Sequence, residues 1–455
     1  MVIVGGGPGG YEAALVAVQN GAEVTVIERD GMGGSAVLTD CVPSKALIAV
    51  SDVITEAGES GALGVTVDGM MAQPDRFSVA FAQVNARIVE LAQQQSSDTL
   101  AKLVDAGVEV IAGTGRLVGP HTVSVAGREL TADAIVLATG ARPRVLLGSR
   151  PDGERVLTWE QLYGLPELPT RMIVVGSGVT GAEFASAYRA MGSEVVLVSS
   201  RDRVLPSEDA DAAAVLERAF ARRGVEVRPR SRAAAVRRVD DHVEVELTDG
   251  SVIEGSHCLL AVGSVPNTDD LGLAEAGVTT DDAGFITVDR VSRTSAPGIY
   301  AAGDCTGVLM LASVAAMQGR IAMWHTLGQA VHPLDLRTVS SNVFTEPEIA
   351  TVGWSQAQVD AGEINADGVM LPLRTNARAK MQGFDDGFVK VFCRRGTRIV
   401  VGGVVVAPHA SELIHVLALA VDQRLTVDQL AGAFTVYPSL SGSIAEAARQ
   451  LHVTD

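Results

Sequence analysis

The chain has 455 residues, 36 of them Lys or Arg against 54 Asp or Glu, for a formal net charge of −18. Domains run to roughly 100–200 residues, so two to four are expected, with ample chain for well-buried cores. The acidic balance argues against nonspecific nucleic-acid binding and against electrostatic docking on anionic lipid.

Met1 to Val4 reads as a short apolar strand running into Gly5-Gly6-Gly7-Pro8-Gly9-Gly10. A helix from Tyr11 to Gln19 and a second strand from Ala22 to Ile27 follow, ending at Glu28. Strand, glycine turn, helix, strand and acid in this order form a dinucleotide-binding fingerprint. Glycines let the backbone approach a pyrophosphate at the helix N-terminus, and Glu28 is placed to accept hydrogen bonds from a ribose. The pattern recurs. Arg171 to Val175 is a strand, Gly176-Ser177-Gly178-Val179-Thr180-Gly181 the turn, the helix runs through Glu183 to Met191, and Glu194 to Val198 is the next strand. One such glycine motif is a weak signal, whereas two in βαβ context are a strong one.

Specificity for the second nucleotide is read just after that last strand. An acid there binds the 2′-hydroxyl of NAD, and basic residues accommodate the 2′-phosphate of NADP. This chain has Ser199-Ser200-Arg201-Asp202-Arg203. No carboxylate at Ser199 would repel a phosphate, and Arg201 or Arg203 is placed to bind one. NADPH is therefore expected, with NADH still accepted. The alternative for the arginines is solvated surface charge.

Further strand ends read IVLATG (Ile135 to Gly140), LLAVG (Leu259 to Gly263) and GIYAAGD (Gly298 to Asp304). From about Arg337 the character changes. VFTEPEIATVG (Val343 to Gly353) and NARAK (Asn376 to Lys380) are followed by strands over Gly387 to Cys393 and Ile399 to Val406, then helices over Ser411 to Gln423 and Gly442 to Leu451.

Gly33 to Lys45 reads GGSAVLTDCVPSK. With the doubled fingerprint, this resembles the flavoprotein disulfide reductases, the lipoamide dehydrogenase and glutathione reductase family, over essentially the whole chain. The resemblance implies an α/β fold with two Rossmann-like dinucleotide-binding domains and a C-terminal α+β dimerisation domain. The expected divisions are 1–150 and 266–336 for FAD, 151–265 for NAD(P) and 337–455 for the homodimer interface. It implies FAD contacts from Gly5, Gly7, Pro8, Gly9, Gly10, Glu28, Gly34, Ser35, Lys45, Gly115, Thr139, Gly140, Asp304, Leu311 and Ala312. For NADP it implies Gly176, Gly178, Val179, Thr180, Gly181, Glu183, Ser199, Ser200, Arg201 and Gly263. Asp304 resembles the ligand of the FAD ribityl chain, and a helix N-cap is its second reading. Lys45 resembles the lysine near flavin N5, and pairing with Glu183 is expected if both are buried.

In the family, two cysteines with four residues between them cycle over the flavin. Here the second position is Cys41 and the first is Ala36. A histidine and a glutamate from the partner subunit move and orient the proton in a segment resembling HPTxSE; the matching stretch here is Tyr437-Pro438-Ser439-Leu440-Ser441-Gly442. Three of the four groups are absent, so dithiol–disulfide catalysis is not expected. Tyr437, with a reference pKa of ~10, is a poor proton shuttle. Cys41 is read as an inert remnant, with a thiolate cycling through sulfenic acid as the alternative.

The expected activity is transfer of hydride from NAD(P)H through FAD to a quinone by a homodimer, and the chain looks most like the actinobacterial quinone reductases on the lipoamide dehydrogenase scaffold. Rivals are a soluble transhydrogenase, a Cys41-dependent peroxidase or oxidase, and a flavin-bearing redox sensor or interaction protein. The four cysteines form no disulfide framework and no pair has zinc-ligand spacing, so no metal is expected. No basic leader and no run of ~18 apolar residues are visible, so a cytoplasmic protein is expected, peripheral to a membrane where a lipid-soluble substrate requires it.

Overall fold

The computed structural model describes residues 1–452. Val2–Val4 is the middle strand of a five-stranded parallel sheet. Its order is Ile299–Ala301, Ile135–Leu137, Val2–Val4, Thr25–Glu28, Glu109–Ala112. Both faces are covered, which is why Val2–Val4, Ile135–Leu137 and Ile299–Ala301 are buried at every residue rather than alternating. Ile3, Val26 and Val136 pack against the helices, and Val2, Val4, Ile27 and Leu137 pack against a three-stranded meander over 116–131. Helix Pro8–Gln19 crosses helix Ala312–Thr326 closely: a Cβ on Gly319 would run into the carbonyl of Gly9. Arg320 adds an ion pair to Glu12 at 2.7 Å.

The second parallel sheet repeats the plan, in the order Val156–Thr158, His257–Leu260, Arg171–Val175, Glu194–Val198, Glu226–Arg228. Helices Val179–Met191 and Ala210–Arg223 cover one face, and a meander over 233–255 covers the other. The fold is thus the expected α/β pair of Rossmann-like units. Helices begin one turn earlier than apolar periodicity alone indicates, at Pro8 and Val179, because the glycine turns open straight into them. The strand expected from Ala22 starts at Thr25, since the Ala22 N–H still closes the preceding helix on Ala17.

The C-terminal sheet is antiparallel, in the order Ser340–Val343, Glu348–Gly353, Val400–Ala407, Phe388–Arg394, Ala366–Pro372. One face carries helices Ala410–Asp422, Val427–Gly432 and Gly442–Gln450. The other joins the core of the second unit through Val343, Phe388, Phe392 and Val404. Buried in that junction, the Lys390 ammonium donates to both carboxylate oxygens of Asp209 (2.9 and 2.8 Å) and to Asp211 (2.6 Å). Among the described residues no helix is long and apolar enough to cross a membrane.

Candidate active site

The chain leaves Val4 through Gly5, whose φ of +106° puts it in the left-handed region, and a Cβ there would run into the carbonyl of Ala138. The turn feeds helix Pro8–Gln19, whose N-cap position is Gly7 and whose first turn has no side-chain cap. Backbone N–H groups are left free at the positive end of a helix macrodipole, beside a cavity of about 710 Å³. These features fit a dinucleotide diphosphate. Gly5, Gly7, Pro8, Gly9 and Glu28 line one part of the cavity. Glu28 is fixed by the N–H of Gly6 on Oε2 (2.5 Å) and those of Arg29 and Asp30 on Oε1 (2.7 Å each). Gly34, Ser35, Gly115, Thr139 and Gly140 continue the lining, which reaches Asp304 and Ala312.

Three expected contacts, Gly10, Lys45 and Leu311, are not among the residues that line the cavity. Gly10 packs against the Gly5 carbonyl, and Leu311 stands at the N-cap position of helix Ala312–Thr326. Asp304 does not cap a helix. Gly303 holds the cap position, and Asp304 opens the 3₁₀ turn Asp304–Thr306. Burial, with the Asp40 carboxylate adding, pushes the Asp304 carboxyl up to about 6.

Ala36 and Cys41 line the same cavity, and Cys41 opens helix Cys41–Glu59. Burial, reinforced by Asp40, pushes the Cys41 thiol up to about 12 despite the Lys45 cation. It is a thiol at neutral pH rather than a nucleophile. One turn on, Lys45 Nζ donates to Glu183 Oε2 at 2.9 Å. Burial opposes the Lys45 charge, but the Glu183 carboxylate outweighs it, and the ammonium is held above its ordinary pKa. The Phe344 N–H donates to Glu183 Oε1 at 2.9 Å, and the Phe344 ring lies 4.9 Å from the ammonium. Sequence reasoning missed Phe344: the VFTEPE segment was visible, but only as a change of domain character.

At the second fingerprint, Gly176 (φ +115°) makes the turn, and a Cβ on Gly181 would strike the Gly176 carbonyl. Helix Val179–Met191 starts from Gly178 without a side-chain cap, with Val179 exposed and Thr180 beside it in the first turn. Gly263 (φ +93°) follows the neighbouring strand His257–Leu260. Ser199 is fully buried, shares a 2.7 Å hydrogen bond with the Ser177 hydroxyl and accepts the Arg201 N–H. Ser200 and Arg201 are exposed. Arg203 is turned back into its own loop, donating to the carbonyls of Pro206 (3.0 Å) and Glu208 (3.4 Å). Arg230, overlooked in the sequence, comes in from the next strand: its N–H donates to the Arg201 carbonyl at 2.7 Å, and the Ser231 N–H to the Ser199 carbonyl at 2.8 Å. Among the described residues the Arg201 and Arg230 side chains have no carboxylate partner.

Tyr437 does not join Lys45 and Glu183 within one chain. It is 86% exposed, on a segment where Phe434 and Val436 are also bare.

The sequence profile of the pyridine nucleotide-disulphide oxidoreductases matches residues 1–319, and that of their dimerisation domain matches residues 339–448. The chain belongs to this family. It is 55% identical to a protein named NAD(P)H dehydrogenase (quinone) from Mycobacterium tuberculosis, over 100% of this chain and 94% of the relative. It is 32% identical to a dihydrolipoyl dehydrogenase of Chlamydia pneumoniae, over 98% and 95%. The crystal structure of LpdA from Mycobacterium tuberculosis superposes with a TM-score of 0.94 at 54% identity, covering 99% of each chain. RclA from Escherichia coli, 24% identical with a TM-score of 0.88, shares the fold. This chain is an oxidoreductase of that family.

Proposed function

We propose that the chain is an FAD-dependent NAD(P)H:quinone oxidoreductase that works without dithiol–disulfide chemistry. The observation that carries the reading is the pairing of two uncapped glycine-turn helices with a lone, protonated Cys41 opposite Ala36. Nucleotide binding is kept while the thiol relay is gone. The name of the Mycobacterium tuberculosis relative supports quinone as acceptor.

FAD, when bound, accepts hydride from the nicotinamide and passes two electrons to an acceptor. Lys45, held by Glu183 and Phe344, sets a fixed positive charge where negative charge develops on reduction. Asp304 and Glu28 are assigned to the ribityl and ribose hydroxyls. Residues 1–150 with 266–336 are assigned to FAD and 151–265 to the nicotinamide nucleotide. Arg201 and Arg230 favour NADPH over NADH. Residues 337–455 are assigned to a homodimer, and the exposed apolar Phe434, Val436 and Tyr437 suit burial against a second copy. We assign the enzyme to the cytoplasm, meeting lipid-soluble quinones at a membrane surface.

Anaerobic stopped-flow tests the reading. Enzyme reduced with NADPH is mixed separately with a naphthoquinone, with NAD and with lipoamide. Fast reoxidation by the quinone and none by lipoamide is expected. Fast reoxidation by NAD alone would make it a transhydrogenase, and none by any quinone would end the proposal.

A further inference from the structure

Asp40 stands at the N-cap position of helix Cys41–Glu59, where an aspartate ordinarily accepts the first free N–H groups. It makes no such bond. Its carboxyl has no hydrogen-bond donor among the described residues, and the residue instead lines the large cavity beside Ala36, Cys41 and Asp304. A helix-capping side chain has been turned into the site.

The groups around it come from every packed element. Lys45 and Cys41 lie on its own helix, Glu183 on helix Val179–Met191, Glu160 and Tyr163 on the turn Trp159–Gly164, and Asp304 on its own 3₁₀ turn. Of the groups that interact with Asp40, the Lys45 cation is set against the carboxyls of Glu183, Glu160 and Asp304; Arg29 and Arg142 also line the cavity. Burial raises the pKa of Asp40 and Glu183 adds to it, with Lys45 in opposition. Such surroundings hold the carboxyl above the usual carboxylate range and make it a weaker acid than a free aspartate. The Tyr163 hydroxyl, buried and without a partner, offers no competing charge.

We propose that Asp40 is the acid that protonates the quinone as it is reduced, taking over the proton delivery that the missing histidine would have provided. This rests on the quinone-reductase reading. The hydride equivalent drawn from NAD(P)H brings two electrons and one proton to the quinone, leaving one oxygen anionic. The Asp40 O–H bond breaks, a new O–H bond forms on that oxygen, and hydroquinone leaves. Water at the cavity mouth returns a proton to the carboxylate. The sum is NAD(P)H + H⁺ + quinone giving NAD(P)⁺ + hydroquinone. Quinone is thereby placed on the Ala36 side of the cavity, in space a second cysteine would fill.

The test uses Asp40→Asn and Asp40→Glu in the holoenzyme. Infrared difference spectra across a pH titration should show a protonated carboxyl band at neutral pH in the wild type, lost in Asp40→Asn. Reoxidation of NADPH-reduced enzyme by naphthoquinone should slow by about 10²-fold in Asp40→Asn, lose its solvent deuterium effect and flatten with pH. Asp40→Glu should restore part of the rate and shift the pH profile. The visible flavin spectrum and reduction by NADPH report whether each variant is folded and loaded. An ionised Asp40 at neutral pH, or an Asp40→Asn enzyme with the wild-type rate and pH profile, overturns the assignment. Wild-type enzyme that no quinone reoxidises would refute the quinone reading, while the infrared result would still decide the state of Asp40.

Discussion

Replacing Lys390 with Met tests the junction between the second nucleotide unit and the C-terminal sheet. Lys390 and Asp209 are each 3% exposed. The ammonium bonds three carboxylate oxygens across the junction. Methionine matches the length of the stem but leaves the Asp209 carboxylate buried without a cation. Removing one partner of a buried pair costs about 3–5 kcal/mol. Asp209 retains two N–H donors, from Asp211 and Ala212 at the start of helix Ala210–Arg223. That places Lys390→Met near the lower end, about 3 kcal/mol, or about a hundredfold in the folding equilibrium of this junction. Asp209→Asn removes the charge but keeps an oxygen for the cap, so the double variant should recover about 2 kcal/mol. Urea unfolding followed by Trp159 and Trp354 fluorescence gives the free energies. A single variant within about 1 kcal/mol of wild type, or a double variant no more stable than the single, would refute the reasoning.

Cys41→Ser should leave NADPH–quinone turnover within about threefold of wild type, because a thiol held near 12 contributes no thiolate; collapse of turnover would restore the sulfenate mechanism. Arg201→Ala and Arg230→Ala should each lower kcat/KM for NADPH by about tenfold with little change for NADH, since each removes a charged hydrogen bond to a 2′-phosphate. An unchanged NADPH/NADH ratio in both variants would assign the arginines to solvent. Burial pushes the Glu346 carboxyl up to about 7, with Arg223 opposing and Asp52 adding. A pKa raised in the folded state contributes stability that is full below the unfolded value and is lost as pH rises through about 7. Glu346→Gln should therefore flatten the fall in Tm between about pH 5 and about pH 8 and stabilise the alkaline end by on the order of 1–2 kcal/mol; calorimetry showing parallel pH curves would argue against a strained carboxylate there.

The parts of the site legible in the sequence are those where backbone geometry demands a residue type. Gly5, Gly10, Gly176 and Gly181 sit where a Cβ would strike a carbonyl, so their spacing announces the turns. The Lys45–Glu183 pair is legible through the family resemblance of its segment, supported by the need of a buried ammonium for a counter-charge. Side-chain direction was not legible. Arg201 and Arg203 read alike as basic residues, yet one is open and the other is folded back onto Pro206. Arg230 becomes relevant only when the strand order sets Glu226–Arg228 beside Glu194–Val198. Asp40 carries no signal of its own in the sequence, and only the unused cap and the cavity lining show where it is turned. Tyr437 reads as a replaced proton carrier, yet within one chain it is exposed and apart from Lys45 and Glu183.

The Phe344 amide reaches Glu183 across 161 residues of chain. The order of synthesis gives that distance a meaning. A nascent chain that has just released its second nucleotide unit has the glycine turn and Glu183, but one oxygen of that carboxylate lacks its N–H donor until the segment around Phe344 leaves the ribosome and the C-terminal sheet docks. The Glu183 carboxylate thus gains its full set of partners only once the C-terminal sheet is in place. A chain truncated after its nucleotide-binding units would keep its fingerprints while Glu183 stayed half-held.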